Sequence, residues 1–452
     1  MLCASSRPLQ TPSLPFSSRN IRNSLLDIIY LTYLVVINCP SYTHYLHSAS
    51  CSKQFTLRPS DQVADLKSSP GSSMTHRTLT IRWIKSATIF GTALTFMMAL
   101  FEPRTSHADE DLTCLPDIAL STIQMIGSHN SYKKAMPANL MSLLEWVEPA
   151  VAQGLDYNHI SIEEQLTLGL RVFEIDVFRD PEGARYSRPL GRWLHPLTQA
   201  FNERELEALG SSGLKVLHIQ DIDYQSHCLT FRECLETFRV FSDANPGHLP
   251  IFISLNLKTS PIELPGSTTP LPFEKAGYWN LHQDLKSTLG LEKLVTPSEV
   301  QKGSRSLRER ITTVGWPDLS EMRGRFIFLI DEPVSKTASY LEDYQNDEQL
   351  LFLSLPPSHD RAAILVMNDP LGAINEIKER VTEGFLVRTR ADADTVEART
   401  SDYSRMRAAF DSGAHFISTD YYVPDERLEG DYQVRFPQGG YVRQSPLSGV
   451  VD

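Results

Sequence analysis

What most limits the fold of this chain is a series of short apolar runs, each too short to span a membrane, that recur through its later part. They fall at residues 122–126, 170–176, 214–219, 251–255, 326–330, 363–367, 385–388 and 416–419. Runs of this length, bounded by turn-forming or charged residues, read as buried strands. The segments between them carry helical spacing at 203–208, 230–241, 281–288, 375–382 and 402–411, the last stopped by Gly413. A further helix is expected over 142–152. Ser161-Ile-Glu-Glu164 is a capping box that opens a short helix, and Gly169 closes it. Eight strands alternating with helices or loops predict an α/β fold of the (β/α)8 barrel kind, whose chemistry sits at the carboxyl ends of the strands. An open doubly wound sheet fits the same alternation, but the chain has no glycine-rich dinucleotide loop. There is no internal repeat. Residues 261–272, rich in Pro, Ser and Thr, read as a surface excursion.

The first hundred residues do not share this pattern. Residues 1–73 are Ser-rich, and their one apolar run, 25–39, contains Asp27. It is short of the about 20 apolar residues that a span needs. From Met74 a different order begins. Arg77, Arg82 and Lys85 precede the apolar stretch 87–101, and Ser106-His-Ala108 offers a small-x-small cleavage site before Asp109. That is the layout of a secretory signal peptide. We therefore read residues 1–73 as an upstream extension with little structure, 74–108 as the signal peptide, and 112–446 as one catalytic domain. A signal anchor left in place is the competing reading.

Cleavage after Ala108 leaves 344 residues with 33 basic and 51 acidic side chains. An acidic balance of this size argues against nucleic acid as a partner. Three of the six cysteines remain: Cys114, Cys228 and Cys234. In an oxidising compartment Cys228 and Cys234 can close a small loop. Cys114 is left without a partner.

The strand ends carry the chemistry. His129 and Asn130 follow the first strand, where Gly127 is read as the stop. Glu174 and Asp176 share one face of the second, because side chains alternate along a strand. His218 lies near the end of the third. Asn256 and Lys258 follow the fourth. Two close carboxylates repel unless a cation sits with them. Oxygen donors without a thiolate suit calcium or magnesium. The competing reading is an ion pair of these acids with Arg171 or Arg179. Two imidazoles beside an acidic cradle suit phosphodiester cleavage, one removing a proton from the attacking hydroxyl and the other giving one to the leaving oxygen.

Taken together these residues resemble the calcium-dependent phosphatidylinositol-specific phospholipases C of bacteria, which are phospholipase-C-like phosphodiesterase TIM barrels. The resemblance rests on Gly127-Ser-His-Asn-Ser-Tyr132, Tyr157-Asn-His159, Gln165-Leu166 with Gly169-Leu-Arg171, Phe173-Glu-Ile-Asp176, Val216-Leu-His-Ile-Gln-Asp221, Asn245-Pro-Gly-His-Leu-Pro250, Gly315-Trp-Pro317, Val387-Arg-Thr-Arg-Ala-Asp392 and Ser418-Thr-Asp-Tyr421. A carboxylate at Asp176, where metal-free bacterial relatives carry Arg, points to the calcium-dependent branch. The resemblance implies His129 as general base and His218 as general acid. It implies Asn130, Glu174 and Asp176 as ligands of Ca2+, with Asn256 where eukaryotic relatives bring another carboxylate. It implies Lys258, Arg388 and Tyr421 as substrate contacts. The ordinary alternatives are that Lys258 and Arg388 pair with nearby acids and that Tyr421 packs.

The activity so implied is cleavage of the glycerol–phosphate bond of phosphatidylinositol at a membrane surface, by a secreted or periplasmic enzyme, expected to be a monomer. Its products would be diacylglycerol and an inositol phosphate that can pass through a cyclic form. Two other readings compete: a glycerophosphodiester phosphodiesterase of the same superfamily, and a secreted binding protein on a decayed barrel.

Overall fold

The computed structural model of the protein describes residues 118–447 apart from 195–197, 199–200 and 346. The upstream extension, the signal peptide and Cys114 lie outside the described residues. In chain order the strands are β1 Ile123–Ser128, β2 Val172–Asp180, β3 Gly213–Lys215, β4 Ile251–Leu257, β5 Phe326–Ile330, β6 Phe352–Leu353, β7 Ile364–Val366, β8 Leu386–Arg390, β9 Phe416–Thr419 and β10 Val442–Gln444.

Eight of these make the barrel. Their order is β6-β5-β4-β2-β1-β9-β8-β7, and every neighbouring pair is parallel. A parallel bridge from Ser354 to Ile364 brings the two ends of the row together, so the barrel is nearly closed. Parallel strands covered on both sides need apolar side chains on both faces. β4, β5 and β9 meet that demand with almost wholly buried runs. Phe252 and Phe416 stack across the interior with centroids 3.9 Å apart.

The excursions from the carboxyl ends of β1 and β2 are long. After β1 come α1 (Ala138–Val147), α2 (Pro149–Leu155) and α3 (Ile162–Leu168). After β2 come α4 (Gly191–Leu194), α5 (Glu203–Gly210), β3 and α6 (Phe231–Ala244). Together they enclose a second apolar cluster, with Leu140, Leu144, Phe178, Tyr186, Phe201, Leu217 and Tyr224 among its buried members. Around the remaining strands lie α7 (Lys275–Thr288), α8 (Pro297–Gln301), α9 (Leu307–Thr313), α10 (Leu319–Met322), α11 (Val334–Asp343), α12 (Pro370–Thr382), α13 (Val396–Thr400) and α14 (Ser404–Asp411).

The barrel agrees with the sequence reading, and so do seven of its strands. Several details differ. The run 214–219 is not a barrel strand: only Gly213–Lys215 is extended, and it pairs antiparallel with the end of β2. The missing barrel strand is β6, whose two residues are too few to show a pattern. Gly127 does not stop β1. It pairs with Val172, and a Cβ there would come within 1.8 Å of the Val172 carbonyl oxygen, so glycine lets β1 and β2 approach. The helix expected over 142–152 is two helices, because Pro149 starts a new one at N1. The capping box at Ser161 and the left-handed Gly169 are both present. Cys228 and Cys234 are joined by a disulfide, with Cα atoms 5.3 Å apart.

Candidate active site

The site forms where β1, β2, β4, β8 and β9 end. His129 directly follows β1, and its amide donates to the Thr419 carbonyl on β9 (3.1 Å). Its Nδ1 lies 2.9 Å from Asp420 Oδ1, one residue past β9. Arg390, the last residue of β8, stands 3.4 Å from Asp420 Oδ2. With Nδ1 held by the carboxylate, Nε2 is left to the site, where it faces Glu174 Oε1 at 3.9 Å. Burial, and then the Arg390 charge, push the His129 imidazole well below its ordinary pKa, so it is neutral near pH 7. Below it, His159 Nε2 bonds the His129 carbonyl oxygen at 2.6 Å. His159 is itself stacked on Tyr422.

His218 is built in a second place by the same device. It follows β3 on an irregular segment, outside the barrel proper. Its Nδ1 lies 2.8 Å from Asp223 Oδ2. Asp223 is fully buried and so is its second partner, Lys133, whose Nζ lies 3.3 Å from the same oxygen. The Lys133 ammonium also donates to the carbonyls of Leu155 (3.0 Å) and Tyr157 (2.8 Å). Burial pushes the Asp223 carboxyl up, but Lys133 and His218 outweigh it and hold the pKa below the ordinary value. The two places are within electrostatic reach: the His218 charge acts on His129.

Four oxygen-bearing residues meet beside His129. Asn130 sits in the left-handed region (φ 47°), a conformation that Asn tolerates better than most residues. Its amide nitrogen donates to the Tyr157 hydroxyl at 2.8 Å, which leaves the amide oxygen to the site. Glu174 and Asp176 point the same way from β2, opposite Ser254 and Asn256 of β4. Glu174 takes a bond from Asn256 Nδ2 at 2.9 Å and an ion pair from Arg388. Burial raises the Glu174 carboxyl, but Arg388 and His129 outweigh it, and its pKa is lowered.

Asp176 is different. Lys258 Nζ is 2.7 Å from its Oδ2, yet neither oxygen has a well-formed hydrogen bond. Burial pushes this carboxyl up. A fully buried, poorly satisfied carboxylate beside hard oxygen donors is what a calcium ion would complete. Among the described residues no three carboxylates, imidazoles or thiolates are grouped to hold a metal. A cation here would therefore draw on the amide oxygens of Asn130 and Asn256 as well as on Glu174 and Asp176.

Thus His129, Asn130, Glu174, Asp176, Asn256, Lys258 and Arg388 are brought together. His218 approaches from outside the barrel. Arg171 and Arg179 serve backbone carbonyls, those of Leu166 and Leu170 and that of Pro272. Lys258 and Arg388 instead answer the two acids. Tyr421 is not brought to the site: it is 1% exposed and packs edge-on against Tyr432. Asp420 precedes it and takes the inward position. Asp420, Asp223, Lys133 and Arg390 were not singled out by sequence reasoning. Nor was Asp331, which follows β5, lies 4.0 Å from Arg388 and is pushed up to about 6 by burial. The signal for Asp223 was local, an Asp five residues after His218. Asp420 lies 291 residues from His129 and only the fold reveals it.

The chain is similar to bacterial enzymes of known structure. A calcium-dependent phosphoinositol-specific phospholipase C from a Pseudomonas species is 14% identical, with a TM-score of 0.46, over 72% of this chain and 95% of that one. The corresponding enzyme of Streptomyces antibioticus is 16% identical, with a TM-score of 0.42, over 67% of this chain and 95% of that one. No curated relative matches the chain. The sequence pattern of the family described as phosphoinositide phospholipase C, Ca2+-dependent, matches residues 118–446. The chain belongs to that family, the calcium-dependent phosphoinositide phospholipases C, and is a phosphoric diester hydrolase.

Proposed function

We propose that the protein cleaves the glycerol–phosphate bond of phosphatidylinositol by paired imidazole catalysis. The observation that carries this reading is the doubled clamp. Each of two histidines gives its Nδ1 to a buried carboxylate, Asp420 for His129 and Asp223 for His218. That fixes the tautomer and leaves both Nε2 atoms for substrate. His129 Nε2 takes the proton of the inositol 2-hydroxyl as its oxygen attacks phosphorus. The bond from phosphorus to the glycerol oxygen breaks, and His218 Nε2 gives that oxygen its proton. Diacylglycerol leaves, and a cyclic inositol phosphate remains, which water can open. An attack within one molecule has an effective molarity of up to ~10⁵–10⁸ M, so the ring hydroxyl outcompetes water in the first step.

Asn130, Glu174, Asp176 and Asn256 would hold calcium, which when bound offsets phosphate charge and acidifies a hydroxyl that touches it. Lys258 and Arg388 keep the two carboxylates oriented and stand within reach of an anionic headgroup. The enzyme is exported: residues 74–108 act as the signal, and 112–446 as the catalytic domain, which works as a monomer on lipid at a membrane surface. Among the described residues no helix is long and apolar enough to cross a membrane. A 2-deoxy-inositol phospholipid tests the mechanism. It should bind without turnover, and phosphorus NMR of the normal reaction should show a cyclic phosphate. Comparable turnover of the 2-deoxy lipid would make water the nucleophile.

A further inference from the structure

Asn130 can serve a cation with only one end of its amide. The oxygen is a hard donor, while the nitrogen carries two hydrogens and offers a metal nothing. The two ends are alike in size, so hydrogen bonding decides which faces where. The backbone narrows the approach: Asn130 has φ 47°, and its carbonyl accepts from the Lys133 amide at 2.8 Å. What separates the two ends of the side chain is Tyr157. This residue lies just past α2, on the excursion after β1, and is 3% exposed. Its hydroxyl accepts from Asn130 Nδ2 at 2.8 Å.

A hydroxyl can also donate, and a donating Tyr157 would turn the amide the other way round. Its surroundings set its role. The charge of the buried Asp420 carboxylate acts on the hydroxyl. An O–H near an anion turns its hydrogen toward that anion, which leaves the lone pairs for Asn130. The same hydroxyl lies 3.5 Å from His129 Nδ1, the nitrogen held by Asp420, and the His129 and Tyr157 rings stack with centroids 5.9 Å apart. The Tyr157 ring is held in place from another side. Lys133 Nζ stands 4.5 Å from its centroid and donates to the Tyr157 carbonyl at 2.8 Å. Lys133 is in turn paired with Asp223, the clamp of His218. One tyrosine therefore touches His129, the ammonium behind His218, and the amide beside the carboxylates.

We propose that Tyr157 is a positioning residue for the cation site: its hydroxyl holds the Asn130 amide with the nitrogen turned away, so that the oxygen is ready for calcium before the ion arrives. The inference rests on the reading of Asn130 as a calcium ligand above. Without the hydroxyl the amide nitrogen loses its buried acceptor, and the side chain is free to offer either end. Orienting partners of this kind are worth about 10–100-fold in metal affinity.

Isothermal titration of calcium chloride into the chelator-stripped, exported protein measures affinity without substrate or turnover. Tyr157→Phe keeps the ring and its contact with Lys133 and removes only the hydroxyl. It should weaken calcium binding on the order of tenfold. In an Asn130→Asp background the same change should alter affinity less than about twofold, because a carboxylate presents an oxygen whichever way it turns. Tyr422→Phe removes another buried hydroxyl, from the ring stacked on His159, and should bind calcium as wild type does. Calcium binding by Tyr157→Phe as tight as wild type, or an equal loss in Tyr422→Phe or in the Asn130→Asp background, overturns the positioning role and leaves the cation site standing. A wild type that takes up no calcium overturns both.

Discussion

The two histidines are held alike and built differently. His129 stands on the barrel: its neighbours Asp420, Arg390 and Glu174 each come from or just after a different parallel strand. His218 stands on an excursion, and its neighbours Asp223 and Lys133 come from loops. On the barrel side the carboxylates are crowded. Asp392 accepts the Asp420 amide at 2.9 Å, and burial together with the Asp420 charge raises its pKa. On the excursion side a single buried ammonium settles the charge. A barrel repeats its strand ends and can supply several groups at one mouth. An acid set apart from that ring has to bring its own counter-ion.

Removing each imidazole probes the comparison hardest. His129→Ala and His218→Ala should each cost on the order of 10²–10⁴ in rate, the range for a positioned acid or base. They should part company on a substrate with an aryl or thio leaving group, which needs little protonation. His218→Ala should recover much of its loss there and His129→Ala little. Equal recovery would mean that the roles are exchanged.

Next comes the counter-ion. Lys133→Met leaves the buried Asp223 with only His218 as a partner, so urea unfolding at neutral pH should show a loss of up to about 3–5 kcal/mol. The sign with pH follows from Asp223. Its folded pKa lies below its ordinary value, so the pair's stabilisation is full above the usual carboxylate range. It is lost as pH falls through the lower, folded value. The difference between wild type and Lys133→Met should therefore shrink on acidification. A constant difference down to strongly acid pH would show that Lys133 acts only through its carbonyl bonds.

The clamping carboxylates should matter less than the rings they hold. Asp420→Asn and Asp223→Asn should each lower turnover about 10–100-fold, as for other outer groups that orient a histidine. The comparison predicts that Asp223→Asn leaves the calcium requirement unchanged, since among the described residues no hydrogen bond or ion pair joins it to Glu174 or Asp176. Calcium titration of the two variants checks this.

The smallest effects of single substitutions concern the cradle. Asp176→Asn should raise the calcium concentration for half-activity, and Asn256→Glu should lower it, because a carboxylate adds charge where an amide has none. A chelator should abolish turnover and calcium restore it. If Asn256→Glu leaves the requirement unchanged, Asn256 is not a ligand.

What could be read in the sequence follows the same division. β4, β5 and β9 were legible because strands covered on both faces must be apolar along most of their length, and β2 because its apolar residues alternate with Glu174 and Asp176. His129 and Asn130 were legible because they follow such a strand, and Glu174 and Asp176 because two acids on one face interrupt an apolar one. β6 was hidden by its two-residue length. α8, α9 and α10 were hidden because helices of four to seven residues barely complete a period. The run at 214–219 looked like a barrel strand because Leu214, Val216 and Leu217 are indeed buried, but Leu217 is buried in the second apolar cluster. Composition cannot tell one core from another. Lys133 was invisible for a related reason: a lysine after a strand reads as solvated, and only the fold supplies its buried carboxylate.

That lysine also bears on how such a barrel can be altered. Lys133 leaves β1 four residues after His129, yet its charge is spent on the partner of His218. The contact is not alone. Lys133 forms a bridge with Ser226, His227 N donates to the Tyr132 carbonyl (2.8 Å), and His227 Nε2 bonds the His159 carbonyl oxygen (2.8 Å). Barrel enzymes are commonly treated as frames with interchangeable loops. Here the first two loops are one component, and a graft that replaces either must carry the other with it.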